Sequence, residues 1–341
     1  MKKDNLNSSL VFWDTAKVYL YHYLPDIRKA SPNTTATYQS CLNHYIDYLE
    51  QNKKCVRKNI AFADFNRDSI KEYMAWMKND CLLAAKTCNL RITAIRSLLE
   101  YASNEYTELM SSYLSVCSVK NIKPSSKPIE FFEPLQMKAL LSAPNTTMKI
   151  ERRNQMMLIL MYDTAARVSE LLNLNVNSLH LNSRIPYIMI CGKGRKYRNI
   201  PLMCKTHQHL NRYLKEFHDP LKPDCALFYA ITHGEQHLLS TDTMEVMLKR
   251  YTKKCISTGI EMPANPHCHM IRKTRAMDLY QNGVPLTHIQ QLLGHEDLST
   301  TSGFYAFATL ETLSKSMEKV NGSQSVKKWN NKETLAKIYR L

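Results

Sequence analysis

The chain has 341 residues and a formal net charge of +16 at pH 7, with 46 Lys and Arg against 30 Asp and Glu. Its length predicts about two domains, and no apolar run reaches the roughly 18 residues that a membrane helix needs. Residues 1–4 are not followed by the apolar stretch of a signal peptide, and none of the ten cysteines forms a C-x-x-C pair. We therefore expect a cytoplasmic protein with reduced thiols, no membrane contact and a basic surface that binds nucleic acid.

The first third of the chain has the apolar spacing of α-helices. Apolar residues recur at helical intervals over 34–48, 68–77 and 84–101. The third of these predicted helices also has a polar face, which consists of Lys86, Asn89, Arg91 and Arg96. Such a face is either solvated or laid against a DNA backbone, so these four residues are candidate DNA contacts.

A polar, basic and proline-containing segment over 119–128 follows, and it shows no periodicity. This composition is typical of an interdomain linker. We predict a helical DNA-binding domain over 1–118, a linker over 119–131 and a second domain over 132–341. The last part of the second domain, 321–341, is a C-terminal tail segment.

The second domain combines helical segments with one predicted β-hairpin. Two short apolar strands, over 187–190 and 198–202, flank the turn formed by residues 192–194, which contains two glycines. Most of the remaining sequence has helical spacing. The predicted fold class is therefore mainly α with a small antiparallel sheet (α+β).

Arg167 and Glu170 lie three residues apart at a predicted helix start, so they share one face of that helix. An arginine held in this way can present a planar fork to two phosphate oxygens. Taken alone, the pair is equally typical of a surface ion pair.

Lys193 lies between two glycines at the tip of the predicted hairpin, and glycines allow a backbone to approach a ligand closely. The same ribbon contains three further candidate DNA contacts, Arg195, Lys196 and Arg198. The pattern fits an ordinary basic hairpin, and it also fits a lysine that reaches into a groove and protonates a leaving oxygen.

A predicted helix begins near Pro266, and on it His269 and Arg272 lie three residues apart on one face. The start of a helix offers free N–H groups to an anion, so this pair is a candidate phosphate site. Lys273 is a further candidate DNA contact. Three adjacent residues, 267–269, cannot easily converge on one metal ion, and we predict no metal site and no cofactor.

Two more candidates follow. His295 comes directly after Gly294, which ends another predicted helix, and Tyr305 lies on the helix after that. A phenol is a weak nucleophile on its own, but cations around it can lower its pKa.

The order and contexts of these residues resemble the tyrosine recombinase family, which includes integrases of mobile elements and Xer-type recombinases. The resemblance covers about residues 133–315 by motif, and it extends to the N-terminal part only by architecture. Two departures stand out: Tyr305 lies one residue further from His295 than is usual in the family, and Lys273 replaces a histidine found in many relatives. The matching stretches are 166–171, 192–194 with Arg198 and 201–202, 269–272, and 292–305.

The resemblance implies a helical, SAM-like core-binding domain joined to a catalytic domain with the DNA breaking–rejoining fold. In the implied chemistry Tyr305 attacks the scissile phosphate and forms a 3′-phosphotyrosyl bond. The resemblance also implies that Arg167 and Arg272 bind the phosphate and that Lys193 protonates the leaving oxygen. His269 would act as the acid/base catalyst, and His295 would donate a hydrogen bond to the phosphate. Glu170 would support the site.

The same resemblance implies a site-specific DNA recombinase, in particular the integrase or transposase of a mobile element. Its partners would be double-stranded DNA with paired core sites and three further copies of the chain, held in a nucleoid-associated tetramer through the tail helix over 332–339. The alternatives are a DNA-relaxing enzyme similar to type IB topoisomerases and a catalytically silent DNA-binding regulator on the same scaffold.

Overall fold

The computed structural model describes residues 8–124, 130–192, 194, 196–218 and 220–294. These residues form two compact units, and the division falls between positions 127 and 128. Both units are dominated by helices, and the strands form small antiparallel sheets. The predicted fold class, mainly α with a small antiparallel sheet, is confirmed. In the described part of the chain, no helix is long and apolar enough to cross a membrane.

The helices of the N-terminal unit begin at recognisable caps. The side chain of Ser31 accepts a hydrogen bond from the amide of Thr34, and Pro32 occupies the first helical turn, so the second helix begins two residues before the predicted segment. Asn66 caps the third helix through the amides of residues 68 and 69. The α-helices are α1 Ser9–Val18, α2 Pro32–Lys53, α3 Arg67–Asn79, α4 Ala85–Glu105 and α5 Met110–Cys117, with a π-helical segment Tyr19–Ile27 after α1.

Aromatic side chains form much of the core of this unit. Tyr45, Phe65 and Tyr73 are fully buried and meet at edge-to-face angles. The hydroxyl of Tyr45 donates to the backbone carbonyl of Asp64 at 2.7 Å, so its burial leaves no polar atom unpaired.

The second unit has seven described α-helices around a separate core. Its strands form a three-stranded sheet in the order β1-β2-β3 and a separate two-stranded hairpin, β4-β5. In chain order the elements are α6 Pro134–Ser142, α7 Lys149–Thr164, α8 Val168–Leu172, β1 Leu179–His180, β2 Tyr187–Cys191, β3 Tyr197–Pro201, α9 Cys204–Phe217, β4 Tyr229–Thr232, β5 Glu235–Leu238, α10 Thr241–Ser257, α11 Cys268–Gln281 and α12 Leu286–Leu293.

The predicted β-hairpin is present as β2 and β3. The two strands pair antiparallel, with Tyr187 opposite Pro201 and Cys191 opposite Tyr197. Ile188, Ile190 and Ile200 point into the core, as the alternation of a half-buried sheet requires. The hairpin is therefore anchored along one face, and its turn extends beyond the ladder.

A sharp change of direction between α7 and α8 positions the start of α8. Ala165 has φ +49°, a left-handed conformation that ends α7. The chain then enters α8 after Arg167, the residue that caps it. Helix α11 packs on α7, and α12 packs on α11 and β3, so the ends of several elements meet near this point.

Candidate active site

The carboxylate of Glu170 is the centre of the candidate site. It is buried, with 7% of the residue exposed. Its Oε2 accepts the backbone N–H of Arg167 at 2.9 Å, and its Oε1 accepts Nη1 of the same residue at 2.7 Å. A carboxylate three residues into a helix that reaches back to the capping residue is half of a capping box, so the local sequence accounts for this geometry.

The pKa of Glu170 reflects these contacts. Burial alone would raise it, but hydrogen bonds and charge from Arg198, together with the amide and side chain of Arg167, outweigh burial and lower the pKa to about 2. The carboxylate is therefore ionised at neutral pH, and it can hold arginines in place around it.

Arg272 approaches the same carboxylate from α11. Only 2% of the residue is exposed, and its Nη1 lies 4.0 Å from Oε2 of Glu170. Nη1 also donates to the carbonyl of Ala165 at 2.7 Å, and Nη2 donates to the carbonyl of Leu293. Arg272 thus ties α11 to the end of α7 and to the end of α12.

Arg167 is the more accessible of the two candidate phosphate-binding arginines. Its side chain is 36% exposed, whereas that of Arg272 is 3% exposed. One terminal nitrogen of Arg167 is fixed by Glu170, which limits the orientations of the guanidinium group. A planar cation with an exposed edge and a fixed anchor is suited to bind a phosphate oxygen.

His269 lies one turn before Arg272 on α11 and contacts solvent. Partial burial and the positive charges of Arg272, Lys273, His267 and Arg167 lower the pKa of His269 to about 4. The imidazole is therefore neutral at pH 7 in the unbound protein, which is the form that can accept a proton.

The first amide of α11 has a partner within the protein. Both carboxylate oxygens of Glu245, on α10, accept the amide N–H of Cys268 at 3.1 Å. The first amide of the helix therefore already has an anionic partner. His269 and Arg272 remain as the contributions of α11 to the site.

Arg198, a candidate DNA contact in the sequence, contacts Glu170 in the structure. It donates from Nη2 to Oε2 of Glu170 at 2.6 Å, from Nη1 to Oε1 at 3.2 Å and from Nε to the carbonyl of Leu292 at 3.0 Å. Its side chain is 11% exposed. All three of its nitrogens have partners within the protein, and two of them donate to the carboxylate of Glu170.

The polar face of α4 makes contacts within its own unit. Asn89 exchanges two hydrogen bonds with the backbone of Ile122, at 2.8 and 3.0 Å. Arg91 contacts His44 at 2.6 Å, and Arg96 donates to Asn121 at 2.9 Å and to the carbonyl of Val119. Three of the four candidate DNA contacts on α4 therefore bind the chain itself, whereas Lys86 is exposed.

The remaining candidates divide into described and undescribed positions. Lys196 is exposed and Lys273 is half-buried. Among the described residues, no group of three or more His, Cys, Asp or Glu side chains is placed to hold a metal ion. The positions outside the described residues are Lys193, Arg195, His295, Tyr305 and the tail segment 321–341.

Sequence reasoning did not identify the roles of Arg198 and Glu245. For Arg198 a signal existed, because it is two residues from the buried Ile200 and strand alternation places both side chains on the same face. Glu245 lies 23 residues before the amide that it binds, and no local pattern predicts this contact.

Comparisons with known proteins agree with this architecture. The phage integrase family profile matches residues 130–311, and the profile of the N-terminal SAM-like domain of phage integrases matches residues 18–106. A tyrosine recombinase XerD from Oceanobacillus iheyensis is 30% identical over 285 residues, which cover 82% of this chain and 90% of that protein. A putative integrase/recombinase from Sinorhizobium fredii, y4rC, is 28% identical over 285 residues, 83% of each chain.

Among solved structures, the Tn1549 transposon integrase in complex with circular intermediate DNA has a similar fold. The TM-score is 0.67 at 19% identity, and the match covers 89% of this chain and 99% of that one.

Proposed function

The chain belongs to the phage integrase family of tyrosine recombinases, a family of DNA strand-transferring enzymes, and we propose that the residues around Glu170 bind the scissile phosphate during recombination. Arg167 and Arg272 bind its non-bridging oxygens, and Glu170 keeps both guanidinium groups in position. The observation that supports this most strongly is the approach of two arginines, from α8 and α11, to one buried carboxylate.

Tyr305 is the proposed nucleophile. Its phenol oxygen attacks phosphorus, the bond from phosphorus to the 5′-oxygen breaks, and a 3′-phosphotyrosyl linkage forms. At pH 7 ionising a free phenol costs roughly 4 kcal/mol, because its pKa is about 10. The cations around the phosphate stabilise both the phenolate and the negative charge of the pentacoordinate transition state.

Two further groups move the protons. His269 is neutral in the unbound protein, because its pKa is lowered to about 4. In this form its imidazole accepts the proton of the phenol. Lys193 donates a proton to the departing 5′-oxygen, and His295 donates a hydrogen bond to the phosphate. A 5′-hydroxyl from a partner strand then attacks the phosphotyrosyl bond and reverses the step. The bond energy stays in the covalent intermediate, so ATP is not consumed.

Double-stranded DNA with paired core sites is the proposed substrate. The net charge of +16 supports this choice, because a cationic surface gains free energy when it releases counterions from phosphates. Exchange of strands between two duplexes requires four active sites, so the working form is a tetramer on DNA, and the tail segment 321–341 joins neighbouring copies. The biological role that we propose is integration or excision of a mobile element, on DNA in the nucleoid.

Covalent trapping on nicked cognate DNA tests the proposal. A nick next to the scissile phosphate makes the fragment that leaves with the new 5′-hydroxyl short enough to diffuse away, so the phosphotyrosyl adduct accumulates. We expect an adduct from the wild-type protein and none from Tyr305→Phe, with equal DNA binding by both. Adduct formation by Tyr305→Phe would overturn the assignment of the nucleophile, and binding without any wild-type adduct would favour the silent regulator.

A further inference from the structure

Arg198 occupies a position where three parts of the second unit meet. It lies on β3, its terminal nitrogens contact Glu170 on α8, and its Nε contacts the carbonyl of Leu292 near the end of α12. The side chain is 11% exposed and that of Glu170 is 5% exposed. A buried arginine with two bonds to one carboxylate and a third to a backbone carbonyl has a fixed orientation.

Two glycines border the guanidinium group of Arg198. A Cβ atom at Gly192 would lie 3.2 Å from Nη1, and a Cβ atom at Gly294 would lie 3.1 Å from Nη1 and 3.3 Å from Cζ. At either position a larger residue would crowd the guanidinium group, which would have to shift by a few tenths of an ångström. Gly192 comes directly before Lys193 in the sequence, and Gly294 comes directly before His295.

These contacts connect Arg198 with both of the proposed phosphate-binding arginines. Glu170 also holds Arg167, and its Oε2 lies 4.0 Å from Nη1 of Arg272. The carbonyl of Leu293, the residue after the partner of Nε, accepts a hydrogen bond from Arg272. A displacement of Arg198 would therefore reach both phosphate-binding arginines through Glu170 and through the end of α12.

We propose that Arg198 is a positioning residue, which sets the geometry of Arg167 and Arg272 and does not contact DNA. This inference rests on the proposed function, since the geometry that it protects is that of the phosphate site. It predicts that substitution of Arg198 changes the rate of DNA cleavage but not the affinity for DNA.

The test compares DNA affinity, its salt dependence and the single-turnover rate of adduct formation at saturating nicked DNA. For Arg198→Gln we expect an unchanged affinity for DNA and an unchanged salt slope, which is the change in log affinity per unit of log salt concentration. The cleavage rate should fall by roughly 100-fold, the effect of misplacing a catalytic group by about 1 Å. Arg198→Lys restores the positive charge but not the three directed hydrogen bonds, so it should leave most of the defect in place.

Matched controls separate geometry from charge and from folding. Arg184 is an exposed arginine between β1 and β2, and Arg184→Gln and Arg184→Lys should cleave like the wild type. Gly192→Ala keeps Arg198 but crowds its Nη1, so it should lower the cleavage rate with unchanged DNA affinity. This variant keeps the inference testable if Arg198→Gln does not fold, and a wild-type cleavage rate in Gly192→Ala would count against the inference.

The pH profile of the cleavage rate at saturating DNA gives a further readout. Burial raises the pKa of Glu170, and the hydrogen bonds and charge of Arg198 lower it. Without Arg198 the pKa of this carboxyl should therefore rise from about 2. The cleavage defect of Arg198→Gln should therefore grow as the pH falls from 7 to about 5, where carboxyls with raised pKa values begin to protonate.

Two results would decide against the inference. One is a salt slope lower by about one in Arg198→Gln, with a wild-type rate at saturating DNA, because this is the pattern of a lost phosphate contact. The other is full recovery of cleavage in Arg198→Lys, which would show that charge alone is required. Failure of the wild-type protein to form any adduct would overturn the proposed function itself, and the inference with it.

Discussion

The polar face of α4 and the carboxylate of Glu170 show two different uses of basic residues. On α4, Asn89, Arg91 and Arg96 share one helix face, and all three bind other parts of their own unit. At Glu170, basic side chains from separate elements converge on one buried anion. Shared spacing on a helix therefore indicates a common face but not its partner, whereas convergence of distant residues indicates a site.

The largest expected effect is that of replacing Arg272 by lysine. A lysine cannot donate to the carbonyls of Ala165 and Leu293 and also bind a phosphate oxygen. We expect the single-turnover rate of adduct formation to fall on the order of 10²- to 10³-fold, as for the loss of one preorganised donor to a transition state. Arg275→Lys, one turn further along α11 in a separate contact with Asp163, is the control and should remain near the wild-type rate.

The second effect is a loss of stability in Glu170→Gln. The free energy of unfolding should fall by about 3 kcal/mol at pH 7, because buried guanidinium groups lose their counter-ion. Urea denaturation measures this difference. Since the folded pKa of about 2 lies below the ordinary value of 4.5, the stabilisation is present above pH 4.5 and is lost as the pH falls towards 2.

The two proteins should therefore become more similar in stability as the solution is acidified through that range. A difference that stayed constant from pH 7 to pH 2 would contradict the assignment of an ionised, paired carboxylate at position 170.

The third effect is the titration of His269. Burial and the neighbouring cations lower its pKa to about 4, so its imidazole should remain neutral on acidification well past the range of an ordinary histidine. Nitrogen-15 NMR of labelled protein follows this titration, and His269→Gln identifies the signal. A midpoint near 6.5, the value of an unperturbed histidine, would contradict the electrostatic description of the site.

The smallest effect separates the two kinds of polar residue on α4. Asn89→Ala removes two hydrogen bonds to Ile122 and should destabilise the protein by about 1 to 2 kcal/mol, with no change in the salt dependence of DNA binding. Lys86→Gln should do the reverse, leaving stability unchanged and lowering the salt slope by about one. If both variants changed stability and the salt slope in the same way, Asn89 and Lys86 would not have these different roles.

The sequence predicted α2, α3, α4 and the β2–β3 hairpin, because helical spacing, caps and the hairpin glycines are local signals, but it missed β1 and the β4–β5 hairpin. The pair of Arg167 and Glu170 could be predicted for the same reason, because a spacing of three residues places both side chains on one face of a helix. Contacts between distant elements could not be predicted from the sequence. The bond from Glu245 to the start of α11 and the contact of Asn89 with Ile122 depend on how distant segments pack.

Arg198 lies between these two cases. The alternation of β3 places it on the buried side with Ile200, which argues against a role at the DNA surface. Its positive charge, on a ribbon with other basic residues, favoured a DNA contact instead. A basic residue in a DNA-binding protein therefore needs its strand or helix face to be examined before it is assigned to the nucleic acid.

The most direct test concerns the claim that Arg167 and Arg272 act together on one scissile phosphate. The measurement is the rate of adduct formation by wild type and Arg272→Ala on nicked cognate DNA, with either a normal scissile phosphate or a neutral methylphosphonate at that position. Because the neutral group develops less negative charge, we expect the defect of Arg272→Ala to shrink markedly on the methylphosphonate. An equal defect on both substrates would contradict the assignment of this arginine to the phosphate.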